Sequence, residues 1–219
     1  AVMEFHHLRF FRPFDRLLDT SRGPEWARWC TGGTTNIAWN CLDRIIEAGR
    51  GEHPAIEWAG ESGERRTLDY RQLASLTRHA AAGLSRLGYR DGDVVGLFMP
   101  MVPETIVAYL AILSIGAIAL PMFSGFGAQA VAERLADAGA KGVVTADFTL
   151  RRGKRIAMLE VIEEAATSVP TLEHVFVVAR DASPARSWDD GRRRTWDDLI
   201  ATSDELRPVE LPAEATAMI

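Results

Sequence analysis

The chain has 219 residues, 47% of them apolar and 25% charged, which suits one large domain, or a domain with a small extension, built around a real core. Its formal net charge of −5 speaks against nucleic-acid binding, which draws on a basic surface. Two cysteines, Cys30 and Cys41, and five scattered histidines offer no zinc spacing, so no metal site is expected and the thiols read as reduced, as in the cytoplasm.

Residues 1–35 carry Phe5, Phe10, Phe11, Phe14, Trp26 and Trp29 in a basic, proline-interrupted segment without periodicity. They are expected to form an N-terminal arm that lays its rings on the body of the protein. The segment is aromatic and charged rather than smoothly apolar, so no signal peptide is read there. Residues 36–219 read as the first part of one larger, incomplete domain. Asn36 caps a helix whose apolar positions run from Ile37 to Ile46, with Cys41 read as a small core residue and Asp43 and Arg44 as a surface ion pair. Ala55–Ala59 and Arg65–Leu68 form a small β-hairpin. Asp69 and Gln72 make a capping-box pair before a helix that ends at Gly88.

From Val94 the pattern becomes strand, helix, strand. Val94–Met99, Ala117–Met122, Gly142–Ala146 and His174–Val178 read as strands. Helices are expected from Pro103 to Ser114, Ala128 to Ala138 and Lys154 to Ala166. Such alternation needs crossover connections, hence an α/β fold with a mostly parallel sheet and helices on both faces. No residue from Thr105 to Ala132 is charged, but Gly116, Pro121, Gly125 and Gly127 interrupt the stretch, and a membrane span is not expected. Ala179–Arg194 reads as a solvated loop, and Thr195 caps a short helix to Ile200. Thr216–Ile219 reads as the start of a further strand. Truncation is expected from that, and with the sheet left open, self-association or marginal stability.

The sequence lacks a Gly-x-x-x-x-Gly-Lys-Ser/Thr loop, a Gly-x-Gly-x-x-Gly after a strand and a Gly-x-Ser-x-Gly elbow. Two segments could hold an anion, both past strand ends, where open parallel sheets bind ligands. The first is Phe123-Ser124-Gly125-Phe126-Gly127, leading into a helix N-terminus; a plain strand-to-helix turn is the alternative. The second is Arg151-Arg152-Gly153-Lys154, read as the front of a helix, where cations are disfavoured unless an anion joins them. Its alternative is a solvated basic turn paired with acids such as Asp147.

Several strings resemble acetyl-CoA synthetases. Trp29-Cys30-Thr31-Gly32-Gly33 with Asn36 to Arg44 is similar to their opening. Thr67 to Leu73 follows, then Gly92-Asp93-Val94-Val95 through Met99 to Glu104, the most specific match. Ile115-Gly116-Ala117, Phe123 to Phe126 and Thr145-Ala146-Asp147 keep the family's order. The likeness runs from about residue 25 to 178.

The resemblance implies an acyl-CoA synthetase of the adenylate-forming, AMP-binding type. Such an acid–thiol ligase joins a carboxylic acid to ATP and passes the acyl group from acyl-AMP to coenzyme A. It implies that Ser124, Gly125, Arg151, Arg152, Gly153 and Lys154 contact coenzyme A, the basic residues holding its nucleotide phosphate. The family's second glycine is Ser124 here, and its second arginine is Lys154. Cys30 stands in place of an aromatic, and Ile45 in place of a histidine. The ATP-phosphate loop, the magnesium-binding glutamate and the catalytic lysine belong to a missing C-terminal part. No residue of this chain is therefore expected to be catalytic, and the chain alone is expected to be inactive, binding no cofactor tightly. Two other readings stay open at this stage: a stand-alone, non-catalytic α/β binding module, and part of an adenylation domain that loads a carrier protein.

Overall fold

Four strands of the chain are apolar at nearly every position, which fits burial on both faces of a sheet. The computed structural model describes residues 7–181 and 191–219 and realises this arrangement. Phe5 of the arm and residues 182–190 of the polar loop lie outside the described residues.

The arm contains a hairpin that the sequence did not announce, β1 (Arg16–Asp19) antiparallel to β2 (Arg28–Thr31). Phe11 stacks on Trp39 at 4.2 Å, as an arm laid on the body requires. Trp26 and Trp29 do not follow suit, being 61% and 56% exposed. β3 (Thr34–Thr35) then pairs with Leu211 and Pro212, far along the chain.

Asn36 caps α1 (Ile37–Cys41) by accepting from the Ala38 amide at 2.9 Å. The helix resumes at Asp43–Ile45 and closes in a π turn, Ile46–Arg50, where Gly49 takes φ +78°. Two side chains here depart from expectation. Cys41 is exposed, because the turn of α1 that buries Ala38 and Leu42 points it outward. Asp43 is buried and bonded at 2.5 Å to Arg78, whose chain position 35 residues away gives no local signal.

β4 (Pro54–Ala59) and β5 (Arg65–Asp69) form the small hairpin. The capping box is present: Asp69 accepts from the Gln72 amide at 2.8 Å, and Gln72 accepts from the Asp69 amide at 3.0 Å. It opens α2 (Tyr70–Arg86), which Leu87 caps before Gly88 turns at φ +84°.

The main sheet uses β6 (Val94–Phe98), β7 (Ile118–Pro121), β8 (Gly142–Ala146), β11 (His174–Val178) and β12 (Arg193–Thr195). Its order is β12-β11-β8-β6-β7, all parallel. β12 corrects the reading of 179–194 as loop throughout. Its arginines stay half-exposed at an edge, so it carries no apolar run. Beyond β7, Met218 makes an isolated parallel bridge to Ala119.

Side chains alternate across this sheet. Val95, Leu97, Ala119, Val144, Phe176 and Val178 join one core with α1, α2, α3 (Pro103–Ser114) and a later short helix, Trp196–Ile200. Val94, Phe98, Leu120, Val143, Val175 and Val177 join the other with α4 (Ala128–Asp137) and α5 (Leu159–Ala166). Phe98 and Phe176, both 1% exposed or less, each contribute about 1.5–3 kcal/mol by burial. The α/β class read from the sequence therefore holds. No helix among the described residues is long and apolar enough to cross a membrane.

Candidate functional site

The carboxyl ends of the central strands open onto three loops: Met99–Val102 after β6, Met122–Gly127 after β7 and the segment after β8. The last differs from its sequence reading. Phe148–Arg151 forms β9 and Lys154–Ala157 forms β10, an antiparallel hairpin, and the helix α5 begins only at Leu159. Arg152 and Gly153 occupy the two-residue turn with φ +52° and +71°, the left-handed pair a type I′ turn requires. Ile156 fits a helical stripe with Leu159 and Ile162, which hid the hairpin's alternation.

The electrostatic argument changes with the geometry. The cations do not crowd a helix N-terminus. Instead Arg151 lies directly opposite Lys154 on the two strands, so the pair shares one face, and like charges placed so repel. All four residues, 151–154, are exposed. Among the described residues no acidic side chain forms an ion pair with Arg151, Arg152 or Lys154. Asp147, the acid nearest in sequence, accepts instead from the backbone amides of Phe148 (2.8 Å) and Arg180 (3.2 Å).

The two candidate segments meet in space. The Arg151 guanidinium lies 5.6 Å from the Phe123 ring centroid. A Cβ on Gly125 would sit 3.3 Å from Arg151 Nη1 and 2.6 Å from Phe123 Cε1, so only glycine fits that contact without movement. Ser124 and Gly125 occupy the centre of a turn closed by the Phe126 amide donating to the Phe123 carbonyl at 3.0 Å. Ser124 is half-buried. Gly127 precedes α4, whose N-terminus carries no side-chain cap. An exposed ring, an arginine above it, a lysine beside that arginine and an open glycine turn can together take a ring-bearing anion.

Sequence reasoning named Phe123 within its strand-end segment without giving the ring a role, and missed Glu61 altogether. Phe123 is 56% exposed beside the glycine turn. Glu61, in the loop between β4 and β5, accepts from the Arg152 amide at 3.2 Å and the Gly153 amide at 3.1 Å. Nothing local marks it, because 91 residues separate it from Arg152.

Among the described residues no group of three or more His, Cys, Asp or Glu side chains could hold a metal ion. These residues therefore do not supply a magnesium site. The two cysteines are unpaired: Cys30 is buried and Cys41 shows part of its surface, and desolvation pushes both thiols up, against Arg44 in the case of Cys41.

Fold and loop cluster together define the class: an open α/β protein with a parallel sheet whose carboxyl edge carries the candidate ligand groups. Comparison with known proteins narrows it. The profile of the AMP-binding enzyme family matches residues 44–219, and that of the acetyl-coenzyme A synthetase N-terminus matches residues 2–41. An acetyl-coenzyme A synthetase of Deinococcus radiodurans is 41% identical over 95% of this chain and 32% of its own length. One from Streptomyces coelicolor is 43% identical over 87% of this chain and 29% of its own. The solved acetoacetyl-CoA synthetase from Streptomyces lividans superposes with a TM-score of 0.87 at 27% identity, over 98% of this chain and 32% of that one. The chain belongs to the AMP-binding enzyme family, and it spans about a third of the length of the relatives it matches.

Proposed function

We propose that this chain serves as the coenzyme A-facing third of an acyl-CoA synthetase. The whole enzyme activates a carboxylic acid with ATP to acyl-AMP, releases pyrophosphate and passes the acyl group to coenzyme A. ATP, coenzyme A and the acid are its substrates, with magnesium held outside the residues described above. The two unpaired cysteines fit a cytoplasmic setting.

The observation that carries this reading is the meeting of Arg151 with Phe123 and Gly125 at the carboxyl edge of the sheet. In it, Arg151 grips the 3′-phosphate of coenzyme A, with Lys154 beside it as a point charge. The Ser124–Gly125 turn lets the nucleotide approach the backbone, and the exposed Phe123 ring offers it an apolar face. Arg152 adds a third exposed positive charge at the same turn, and Gly153 keeps the turn tight. This chain's residues bind and orient coenzyme A; none acts on the reacting carboxylate.

A charged hydrogen bond of about 1.5–3 kcal/mol sets the expected effect. In the synthetase, Arg151→Ala weakens coenzyme A by roughly ten- to a hundredfold, at 1.4 kcal/mol per decade. It leaves acid-dependent exchange of pyrophosphate into ATP unchanged, because coenzyme A takes no part in that half-reaction. Wild type prefers coenzyme A to dephospho-coenzyme A, and the variant loses most of that preference. A variant that still discriminates as wild type does rules this site out.

A further inference from the structure

We propose that Glu61 is a positioning residue for the coenzyme A site, a carboxylate strut that fixes the β9–β10 turn and thereby aims Arg151. The inference rests on the coenzyme A reading of the Arg151 hairpin and extends it to a residue on a different hairpin.

Among the described residues, the β9–β10 hairpin stands apart from the main sheet and its strands pair only with each other. Its turn must hold Arg152, a residue with a Cβ, at φ +52°, where L side chains are uncommon. The amides of Arg152 and Gly153 both point out of the hairpin. Among the described residues, both find their partners on one side chain: Glu61 Oε1 at 3.2 Å and Oε2 at 3.1 Å. One carboxylate spanning two successive amides restrains the turn in two directions at once, and charged acceptors make the stronger hydrogen bonds.

A strut must itself be anchored, and the β4–β5 hairpin is. The Trp58 indole N–H donates to the Met101 carbonyl at 2.6 Å, next to the end of β6. Arg66 pairs with Glu104 in the first turn of α3 at 2.6 Å. At the loop, the Gly60 amide donates to the Glu64 carbonyl at 2.9 Å, and the Gly63 amide donates to the Gly60 carbonyl at 3.1 Å. Glu61 therefore projects from a closed loop tied to the central strand and its following helix. Arg151 is the residue immediately before the restrained turn, and its guanidinium reaches back over Phe123. Releasing the turn frees the strand end from which that side chain is aimed.

A carboxylate this close to a basic turn could instead compete with the ligand's phosphate. The two roles predict opposite signs, and the test separates them. In the synthetase, Glu61→Ala is expected to raise the KM for coenzyme A about three- to tenfold, as expected for loss of aim rather than of the contact itself. Acid-dependent pyrophosphate exchange stays at the wild-type rate. The same substitution adds little on an Arg151→Ala background, since both act through one contact. Glu61→Gln, which keeps one acceptor oxygen, recovers part of the loss. Independently of any ligand, amide hydrogen exchange at Arg152 and Gly153 accelerates in Glu61→Ala. Unchanged exchange at those amides, or a lower KM for coenzyme A, overturns the proposal. Faster exchange together with an Arg151→Ala variant of normal coenzyme A affinity overturns the coenzyme A reading instead and leaves Glu61 as a strut of the hairpin alone.

Discussion

The polar side chains at the amino end of the parallel sheet bond to one another, whereas at the carboxyl end no acidic side chain among the described residues forms an ion pair with Arg151, Arg152 or Lys154, and Glu61 accepts from the backbone amides of their turn instead. At the amino end, the Tyr89 hydroxyl lies 3.1 Å from His174 Nδ1 and 3.2 Å from the Lys141 carbonyl. Lys141 Nζ lies 3.5 Å from Asp93 and 5.1 Å from the centre of the Tyr89 ring. Burial, with Glu173 and Asp93 adding to it, pushes the Tyr89 phenol well up, so it stays a neutral donor. Closed polar networks of this kind hold a fold together. Cations gathered without ion-pair partners repel one another, and a bound anion would relieve that repulsion. On the proposed reading, one sheet separates architecture from recognition by placing them at opposite ends of its strands.

That contrast is broken if amino-end substitutions change ligand affinity or carboxyl-end ones change stability. The largest expected effect is Gly142→Ala. Its Cβ would lie 2.2 Å from the Tyr89 hydroxyl, inside a buried network at the start of β8. A loss of about 3 kcal/mol, read as a lower urea midpoint, is expected from such overpacking. Tyr89→Phe removes the hydroxyl and keeps the ring, and should cost about 1 kcal/mol in the same assay. Neither variant should alter the KM for coenzyme A in the whole enzyme.

Lys154→Ala tests the other end. It should raise that KM roughly threefold, about 0.6 kcal/mol, less than Arg151→Ala because a lysine offers no planar fork. Its urea midpoint should equal the wild type's or exceed it slightly, since a repelling pair has been relieved. The smallest effect is a pH dependence. Burial lowers the His174 pKa from 6.5, and Arg194 and Lys141 lower it further while Glu173 opposes them. The unfolded chain therefore takes up this proton first. Stability should be full above pH 6.5 and decline as pH falls through 6.5 toward the folded value, and His174→Gln should flatten that decline. A rise in stability on acidification over that range would contradict the burial of this ring.

The amino end and the core were largely legible because their signals are local. Pro103 and Ser114 bound α3 where the sequence places them, and the Asp69–Gln72 box opens α2. Continuous apolar runs gave β6, β8 and β11. The candidate site was half legible. Ser124–Gly125 and Arg151–Lys154 stood out as strand-end segments, but their proximity depends on β7 and β8 flanking β6, which no spacing records. β10 reads as the first turn of a helix from Lys154 because Ile156 satisfies both periods, β9 carries no strand signal of its own, and Arg152 is an uncommon residue for a left-handed turn. Asp43 with Arg78 and Glu61 with Arg152 are partners 35 and 91 residues apart, and only the folded chain joins them.

The parallel order of the sheet also has a temporal side. Every strand in it needs a crossover, so β6 finds its β8 neighbour only after the 47 residues from Val95 to Gly142 have been made. Translation at about 5–20 residues per second delays that pairing by roughly 2–10 s. The β4–β5 hairpin, closed by a short loop, forms within about 1–10 μs once its residues have emerged. For seconds, then, a nascent chain holds a finished hairpin beside an apolar strand that lacks first both neighbours and then β8 alone. In that interval a chaperone, or a second nascent chain, competes most directly for β6.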